Sequence, residues 1–282
     1  MIKFRLMRAG DIAAGLSLCR AAGWNQLERD WSLFLHSNPE GCFVAVDDND
    51  KVSGTVATLR YGNHFSWIGM VLVDPTTRRQ GIGSGLLKTS LEFLSNEETV
   101  KLDATPAGRE VYLKLGFNDE YTLTRMHLGR VETGRLPESS AVSLEPTDLA
   151  EVIAFDREVF GADRSSILRW LYDGAPELAF ISRHNGKVAA YCFGRHGHNF
   201  TQIGPVVGQD VDHAFLVTTA AFRKTNNRAV ILDILHHTPT WVGMIEQLGF
   251  TGQRQLIRMY KGSNSSPGIP AKQFSIAGPE IG

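Results

Sequence analysis

Short apolar runs in the first 130 residues are typical of buried strands. The clearest are residues 65–73 (FSWIGMVLV) and 99–105 (TVKLDAT). Two further runs, 42–48 and 51–60, flank an Asp-Asn-Asp turn and predict a hairpin. Residues 83–95 and 106–115 are predicted helices that follow these strands. The order predicts an α/β fold with a central twisted mixed sheet flanked by helices.

Two more helices are predicted near the start of the chain. Asp11 is placed to cap a helix that runs to about Ala22. Asn25, followed three residues later by Glu28, has the spacing of a capping box for a second helix, which Pro39 ends.

The pattern of the first 130 residues repeats further along the chain. YLKLGF ends at Phe117 and IEQLGF ends at Phe250, 133 residues later, and VKLDAT is matched in the same way by VILDIL. Two copies of one unit of about 120 residues are therefore expected. A polar stretch broken by Gly and Pro separates them. We predict domains at 1–132 and 139–262, followed by an extended tail at 263–282.

Composition favours a protein that binds a small ligand. The chain has 282 residues, enough for about two domains, with 29 Lys and Arg against 30 Asp and Glu, so no net field favours nucleic acid or an anionic membrane. Cys19, Cys42 and Cys192 are too far apart for a disulfide framework or a CxxC metal site. With no signal peptide or membrane-spanning run, we predict a cytoplasmic protein without a bound metal.

The stretch RRQGIGSGLL, residues 78–87, carries the candidate ligand chemistry. Gly81, Gly83 and Gly85 lie where a strand gives way to a helix, and they let the backbone approach a ligand closely. Amides at a helix N-terminus bind anions, so the ligand is expected to carry phosphate. A Walker loop is excluded because Leu87 precedes Lys88, and a dinucleotide fingerprint because Leu86 replaces its third glycine.

This loop resembles that of the GNAT superfamily of N-acetyltransferases, Arg/Gln-x-x-Gly-x-Gly/Ala between the fourth strand and the third helix. Arg78, Gly81 and Gly83 match in register, and VYLKLGF resembles the later Tyr-x-x-x-Gly-Phe helix of the family. The resemblance covers residues 1–130, and the second, degenerate copy resembles a bacterial group of tandem GNAT proteins. It implies tandem GNAT folds.

The resemblance also implies a binding site for acetyl-CoA as co-substrate. Backbone groups of Val71, Leu72 and Val73 would bond the pantetheine arm, while the same side chains pack in the core. Arg78 belongs to the matched loop, and the diphosphate would be held by the amides of the residues that follow it, namely Arg79, Gln80, Gly81, Ile82, Gly83 and Ser84.

Two side chains are candidates for the chemistry. Tyr112 matches the tyrosine that lies near the CoA sulfur in many family members, where it would protonate the departing thiolate; the alternative is an aromatic residue packed on the sheet. The resemblance places Asp103 at the cleft, where it would act as a general base for the amine. The equal alternative is that Asp103 caps the helix beginning at Pro106.

The second copy departs from the pattern where the cofactor would bind. QIGPVVGQDVD replaces the glycine loop, and Asp210 and Asp212 would repel a diphosphate. Ile245 occupies the place of Tyr112, so one acetyl-CoA per chain is expected. Trp170 is either an aromatic wall of the acceptor pocket or a packed helix residue.

The tail from Gly262 onward has a linker composition that favours disorder. Phe274 and Ile276 are its candidate anchors.

Two functions fit the sequence. The first is an acetyl-CoA-dependent N-acetyltransferase in which a primary amine of a small acceptor attacks the thioester directly. The second is a non-catalytic acyl-CoA sensor that uses the same loop. Tyr112 beside an intact loop favours the enzyme. The acceptor and the oligomeric state are not encoded in any motif, because acceptor-binding groups lie on variable loops.

Overall fold

The computed structural model describes residues 2–282, and its first unit has the predicted alternation of strands and helices. In chain order the elements are β1 (Lys3–Leu6), α1 (Ile12–Ala21), α2 (Glu28–Ser37), β2 (Phe43–Val46), β3 (Val52–Tyr61), β4 (Phe65–Val73), α3 (Ile82–Phe93), β5 (Thr99–Ala104), α4 (Pro106–Lys114) and β6 (Asn118–Leu128).

The second unit repeats this order and adds one strand. Its elements are β7 (Val142–Ser143), α5 (Leu149–Phe160), α6 (Ser165–Gly174), β8 (Phe180–His184), β9 (Lys187–His196), β10 (Thr201–Gly208), α7 (Val211–Phe222), β11 (Val230–Leu235), α8 (Pro239–Gln247), β12 (Thr251–Gly262) and β13 (Gln273–Ser275). The mixed α/β architecture is confirmed. No helix in residues 2–282 combines the length and apolar character needed to cross a bilayer.

All the strands belong to one sheet, and the two units exchange their last strands. The sheet order is β1-β2-β3-β4-β5-β12-β6-β11-β13-β10-β9-β8-β7. β12 of the second unit pairs with β5 of the first, β6 of the first pairs with β11 of the second, and the two exchanged strands pair with each other at the centre. The proposed boundaries at 132 and 139 lie outside strands and that at 262 falls on the last residue of β12, yet neither unit completes its sheet alone.

The units also share a hydrophobic core. Trp31 and Phe34 of α2 are fully buried in the same cluster as Leu168 and Leu171 of α6. The face of α2 that carries Trp31 and Phe34 is therefore an interface between the two units.

The helix α2 begins differently from the prediction. The Leu27 amide donates to the Asp30 carboxylate at 2.6 Å, so the capping box that we predicted from Asn25 and Glu28 is wrong. Asn25 instead accepts hydrogen bonds from the amides of Asn199 and Phe200, both at 2.9 Å. Its amide side chain joins the first unit to a loop of the second.

A gap opens between β4 and β5. These parallel strands pair only at Ser66 with Val100 and at Trp67 with Lys101. Beyond this point a bulge at Met70, whose φ is +54°, redirects β4. The backbone of residues 69–73 therefore has a strand neighbour on the β3 side and none on the β5 side.

The matching gap in the second unit is filled by the C-terminal tail. β10 and β11 pair only at Thr201 and Gln202, and β13 then runs antiparallel to both strands. Phe274 and Ile276 are almost completely buried, which confirms them as anchors. The expectation of disorder from composition is wrong, because the apolar side chains of the tail find a preformed slot.

Candidate functional site

A cavity of about 470 Å³ lies in the gap between β4 and β5. Its wall includes residues of the 78–84 loop together with Val71, Val73 and Tyr112. The remaining walls come from the α1–α2 loop, β6, β12 and the tail, through Trp24, Gln26, Arg125, Arg254, Leu256, Pro279 and Glu280. We call this second group the polar end.

The loop from Arg78 to Ser84 presents free backbone amides. Arg79 and Gly81 have φ values of +63° and +78°, and Gly81 is the N-cap residue of α3. Within residues 2–282 the amides of residues 79–84 donate to no protein group. Unpaired amides at the positive end of a helix dipole suit an anion, so the geometry is consistent with the phosphate site, which stays a prediction.

The three loop glycines have different roles. A Cβ added at Gly81 would meet nothing within 4 Å, but its positive φ favours glycine. A Cβ at Gly83 would come only to 3.5 Å from Val73, so the protein leaves room there. A Cβ at Gly85 would lie 2.2 Å from the Phe4 ring. The expectation that Gly85 admits a ligand is therefore wrong, because Gly85 is required for packing against β1.

The strand residues Val71, Leu72 and Val73 combine core packing with an unpaired backbone edge. Leu72 is buried, whereas Val71 and Val73 are half-buried and line the cavity. The interpretation that these side chains pack while their backbone stays available is consistent with this geometry.

Tyr112 on α4 lines the cavity with a hydroxyl that has no hydrogen-bond partner among residues 2–282. Its ring packs edge-on against Phe117, with centroids 5.8 Å apart. Burial raises the pKa of the Tyr112 phenol to about 12. Tyr112 is thus both a packed aromatic residue and a neutral donor facing the cavity.

Asp103 is held in a buried ion pair. Both of its oxygens accept from the Arg258 guanidinium of β12 at 2.9 Å, and this guanidinium lies 4.6 Å from the centre of the Trp67 ring. Burial raises the pKa of the Asp103 carboxyl, and Arg258 opposes this shift. The alternative role of Asp103 as a helix cap is wrong, because Thr105 accepts from the Gly108 amide at 3.1 Å.

The second unit contains the same ion pair. Asp233 of β11 accepts from Arg125 of the exchanged strand β6 at 2.6 and 2.7 Å. Asp233 and Asp103 occupy matching positions in VILDIL and VKLDAT. Since the pair recurs in a unit whose gap is filled by β13, its first role is to hold an exchanged strand.

Glu280 brings the tail to the polar end of the cavity. The Trp67 indole donates to the Pro279 carbonyl at 3.0 Å, and a Cβ added at Gly69 would lie 2.5 Å from the Glu280 carbonyl oxygen. The Glu280 carboxylate accepts from Gln26 at 3.0 Å and pairs with Arg195. Burial raises the pKa of Glu280, but the charge of Arg195 and the hydrogen bonds from Gln26 and Arg195 together outweigh this effect, so the net shift is downward.

Buried polar contacts connect this end of the cavity to both units. Arg195 also pairs with Asp30 of the first unit and donates to Gln202 at 3.0 Å. Gln202 in turn donates to Asp233 at 2.9 Å, which completes a network from α2 to the strand β11. A site of this kind cannot form from one unit alone.

Sequence reasoning did not identify the residues of the polar end. Trp24, Gln26, Arg254 and Glu280 belong to no motif, and the last two lie far along the chain from the glycine loop. Of the two roles considered for Trp170, the packed helix residue is confirmed: Trp170 packs against the core outside the cavity, with the Arg29 guanidinium 4.3 Å from its ring centre.

The place of a phosphate site in the second unit is taken by a carboxylate. Asp210 caps α7 by accepting from the His213 amide at 2.9 Å. Ile245, at the position of Tyr112, is fully buried.

Comparisons with known proteins agree with the repeat. A model of the acetyltransferase (GNAT) family matches residues 16–117, and a model of an acetyltransferase (GNAT) domain matches residues 152–275. Holothin acyltransferase from Pseudoalteromonas sp. (strain SANK 73390) is 23% identical over 268 residues, covering 93% of this chain and 88% of that protein.

Solved structures share the fold. That of a Pyrococcus horikoshii protein assigned as an acetyltransferase aligns with a TM-score of 0.82 and 22% identity, over 100% of this chain and 96% of that one. A tandem GNAT protein from the clavulanic acid biosynthesis pathway aligns with a TM-score of 0.66 and 17% identity, over 92% and 98%. The chain is an acyltransferase that belongs to the GNAT superfamily of N-acetyltransferases, as a tandem member with one such domain in each half.

Proposed function

We propose that this enzyme transfers the acetyl group of acetyl-CoA to the primary amine of a small acceptor, by direct attack of the amine on the thioester. The observation that supports the proposal is one continuous cavity that joins an open amide loop to a polar end built from both units. A cavity with one anion site and one separate polar end suits two substrates that must meet.

The co-substrate would be held mainly by backbone groups. The free amides of residues 79–84 suit a diphosphate, with Arg78 and Arg79 adding positive charge at the same wall. The unpaired edge of β4 at residues 71–73 suits the amide groups of a pantetheine arm. When bound, acetyl-CoA supplies the activated thioester.

Tyr112 would stabilise the departing thiolate. With a pKa of about 12, against about 8.5 for a thiol, complete proton transfer from Tyr112 would be uphill by about 5 kcal/mol. A hydrogen bond from the unpartnered hydroxyl to the sulfur avoids that cost. We therefore propose that Tyr112 acts as a hydrogen-bond donor as the thioester breaks.

The proton of the acceptor ammonium needs a route to solvent. We propose that Glu280, ionised across the neutral range, binds the ammonium and conducts its proton to water in the cavity. Asp103 would then act as a positioning residue, because its ion pair with Arg258 holds β12 against β5. This changes the role that the sequence suggested for Asp103.

The test is CoA release from acetyl-CoA with a panel of small primary amines. Turnover with at least one amine, together with one acetyl-CoA per chain by calorimetric titration, is the expected result. Tight acetyl-CoA binding with no CoA release across the panel would contradict the proposal and favour the sensor.

Glu280 is tested in the same assay with Glu280→Gln. Because the pKa of Glu280 is lowered, its contribution is complete at neutral pH and is lost only on acidification. We expect kcat/KM of the variant to fall at least about tenfold by the same factor across the neutral range. Equal rates for the two proteins at neutral pH would remove Glu280 from the proton route.

A further inference from the structure

Arg254 differs from the other buried or half-buried arginines around the gap. Arg125, Arg195 and Arg258 each pair with a carboxylate. Arg254 lines the cavity and, within residues 2–282, has no carboxylate and no hydrogen-bond acceptor for its guanidinium. Its Nε is buried without a partner. Each of these three structural arginines is paired, so the unpaired Arg254 requires another explanation.

The position of Arg254 makes its isolation costly. It lies directly opposite Arg125 in the antiparallel pairing of β12 with β6, and like charges in that arrangement repel. Asp233 is the ion-pair partner of Arg125 and forms no ion pair with Arg254. Burial, followed by the neighbouring Arg125, lowers the pKa of Arg254 to about 10. An anion placed beside Arg254 would relieve both effects.

A second unpaired group lies at the same end of the cavity. Gln26 is 6% exposed, its Nε2 donates to Glu280, and its Oε1 has no donor. A buried carbonyl oxygen without a partner suits an N–H group of a ligand. The polar end thus offers a free cation at Arg254, a free acceptor at Gln26 and the ionised Glu280.

We infer that the acceptor is an amine that also carries a carboxylate, which Arg254 binds while Gln26 and Glu280 receive the amine. This inference rests on the proposed function and names the substrate class of the same site. Guanidinium and carboxylate form two parallel charge-assisted hydrogen bonds, so an arginine selects a carboxylate by its charge and by its planar geometry. Arg254 is not needed to bind the phosphates of the co-substrate, since the amides of the loop at residues 79–84, a separate part of the cavity lining, suit them.

The experiment measures binding of matched probes by calorimetry in the presence of CoA. The probes are glycine, β-alanine and phenylalanine, each compared with its own carboxamide. Carboxamides have less basic amines, but at neutral pH both probes are mostly ammonium, so the difference in protonation accounts for less than about a twofold preference for the acid. We expect at least one acid to bind about tenfold or more tightly than its carboxamide.

Arg254→Gln is expected to abolish that preference, and Arg254→Lys is expected to keep part of it. Arg135→Gln, at an arginine with 83% of its side chain exposed, is the matched control and keeps the full preference. Since Arg254 has no partner to lose, Arg254→Gln is expected to leave the Tm unchanged or higher. In turnover, it raises KM for the acid and changes kcat less than about twofold.

A preference that survives Arg254→Gln, or the absence of any preference for the acids, would overturn the inference. Because binding is measured without turnover, this result is independent of the proposed function. If the acids bind through Arg254 and no CoA is released with any amine, the proposed reaction fails and the carboxylate site stands.

Discussion

Tyr112 has a hydroxyl at the cavity wall that hydrogen-bonds to no group within residues 2–282. If this hydroxyl supports the departing thiolate, Tyr112→Phe should lower kcat about 10²-fold and leave acetyl-CoA affinity unchanged, because the ring and its packing on Phe117 remain. Pre-steady-state kinetics and calorimetry measure the two quantities. Tyr260→Phe makes the same chemical change outside the cavity and should have no effect. An unaltered rate for Tyr112→Phe, with chemistry rate-limiting, would remove Tyr112 from the mechanism.

Substitutions at Gly83 test acetyl-CoA binding without a change in the stability of the fold. A methyl group fits there against Val73, so Gly83→Ala should leave the free energy of unfolding unchanged. The same methyl group should weaken acetyl-CoA binding, because it blocks the approach of the ligand to the amides. Gly83→Asp adds negative charge beside the diphosphate and should abolish measurable binding, whereas Arg79→Ala should only weaken it. Calorimetry gives the affinities and urea unfolding gives the stabilities. Equal and slight effects of all three changes would contradict an amide-based site.

At the scale of elements, β13 is the insertion that completes the second unit. The Phe274 ring packs 5.2 Å from Trp241, whose indole donates to the Phe274 carbonyl at 2.9 Å. Phe274→Ala should lower the free energy of unfolding by about 3–5 kcal/mol, measured with urea. Val142→Ala, at an apolar residue that is 55% exposed, is the control and should cost less than about 0.5 kcal/mol. Similar small losses at both positions would mean that β13 is not part of the core.

The elements of the first unit could be predicted from sequence because their signals are local. The apolar run at residues 65–73 is β4 without a shift, and α3 begins and ends within two residues of its predicted bounds. Gly85 was misinterpreted because its spacing matches that of the ligand glycines, while Phe4 contacts it from eighty residues away. Arg254 and Glu280 carry no local pattern at all. Their function depends on where the tertiary fold brings them.

At the scale of the whole molecule, periodicity could not predict the strand exchange. β6 and β12 are copies of one strand with similar sequences, and each offers an arginine to the aspartate of its neighbour, Arg125 to Asp233 and Arg258 to Asp103. Either strand therefore satisfies either partner. A local pattern cannot choose between two equivalent pairings.

The exchange has a consequence for the isolated first unit. A fragment of residues 1–132 lacks β12, so we expect two fragments to exchange β6 and place Arg125 of one copy against Asp103 of the other. Light scattering after size exclusion should give twice the fragment mass, and Arg125→Ala should reduce that species. Lys114→Ala, at an exposed position on α4, should not. A monomer with cooperative unfolding would contradict this expectation, because it would show that β5 and β6 of the same fragment pair with each other.

The tail is one continuous segment that enters the gaps of both units. Residues 273–275 lie in the gap of the second unit, and Glu280, five residues on, lies in the gap of the first. A ligand that binds only when Glu280 is in place therefore raises the free energy needed to open the sheet of the second unit, by thermodynamic linkage. Saturation of the cavity with ligand should slow amide hydrogen exchange in β10 and β11. Unchanged exchange there would show that the tail does not couple the two gaps. Hydrogen exchange in the second unit would then report occupancy of the cavity in the first.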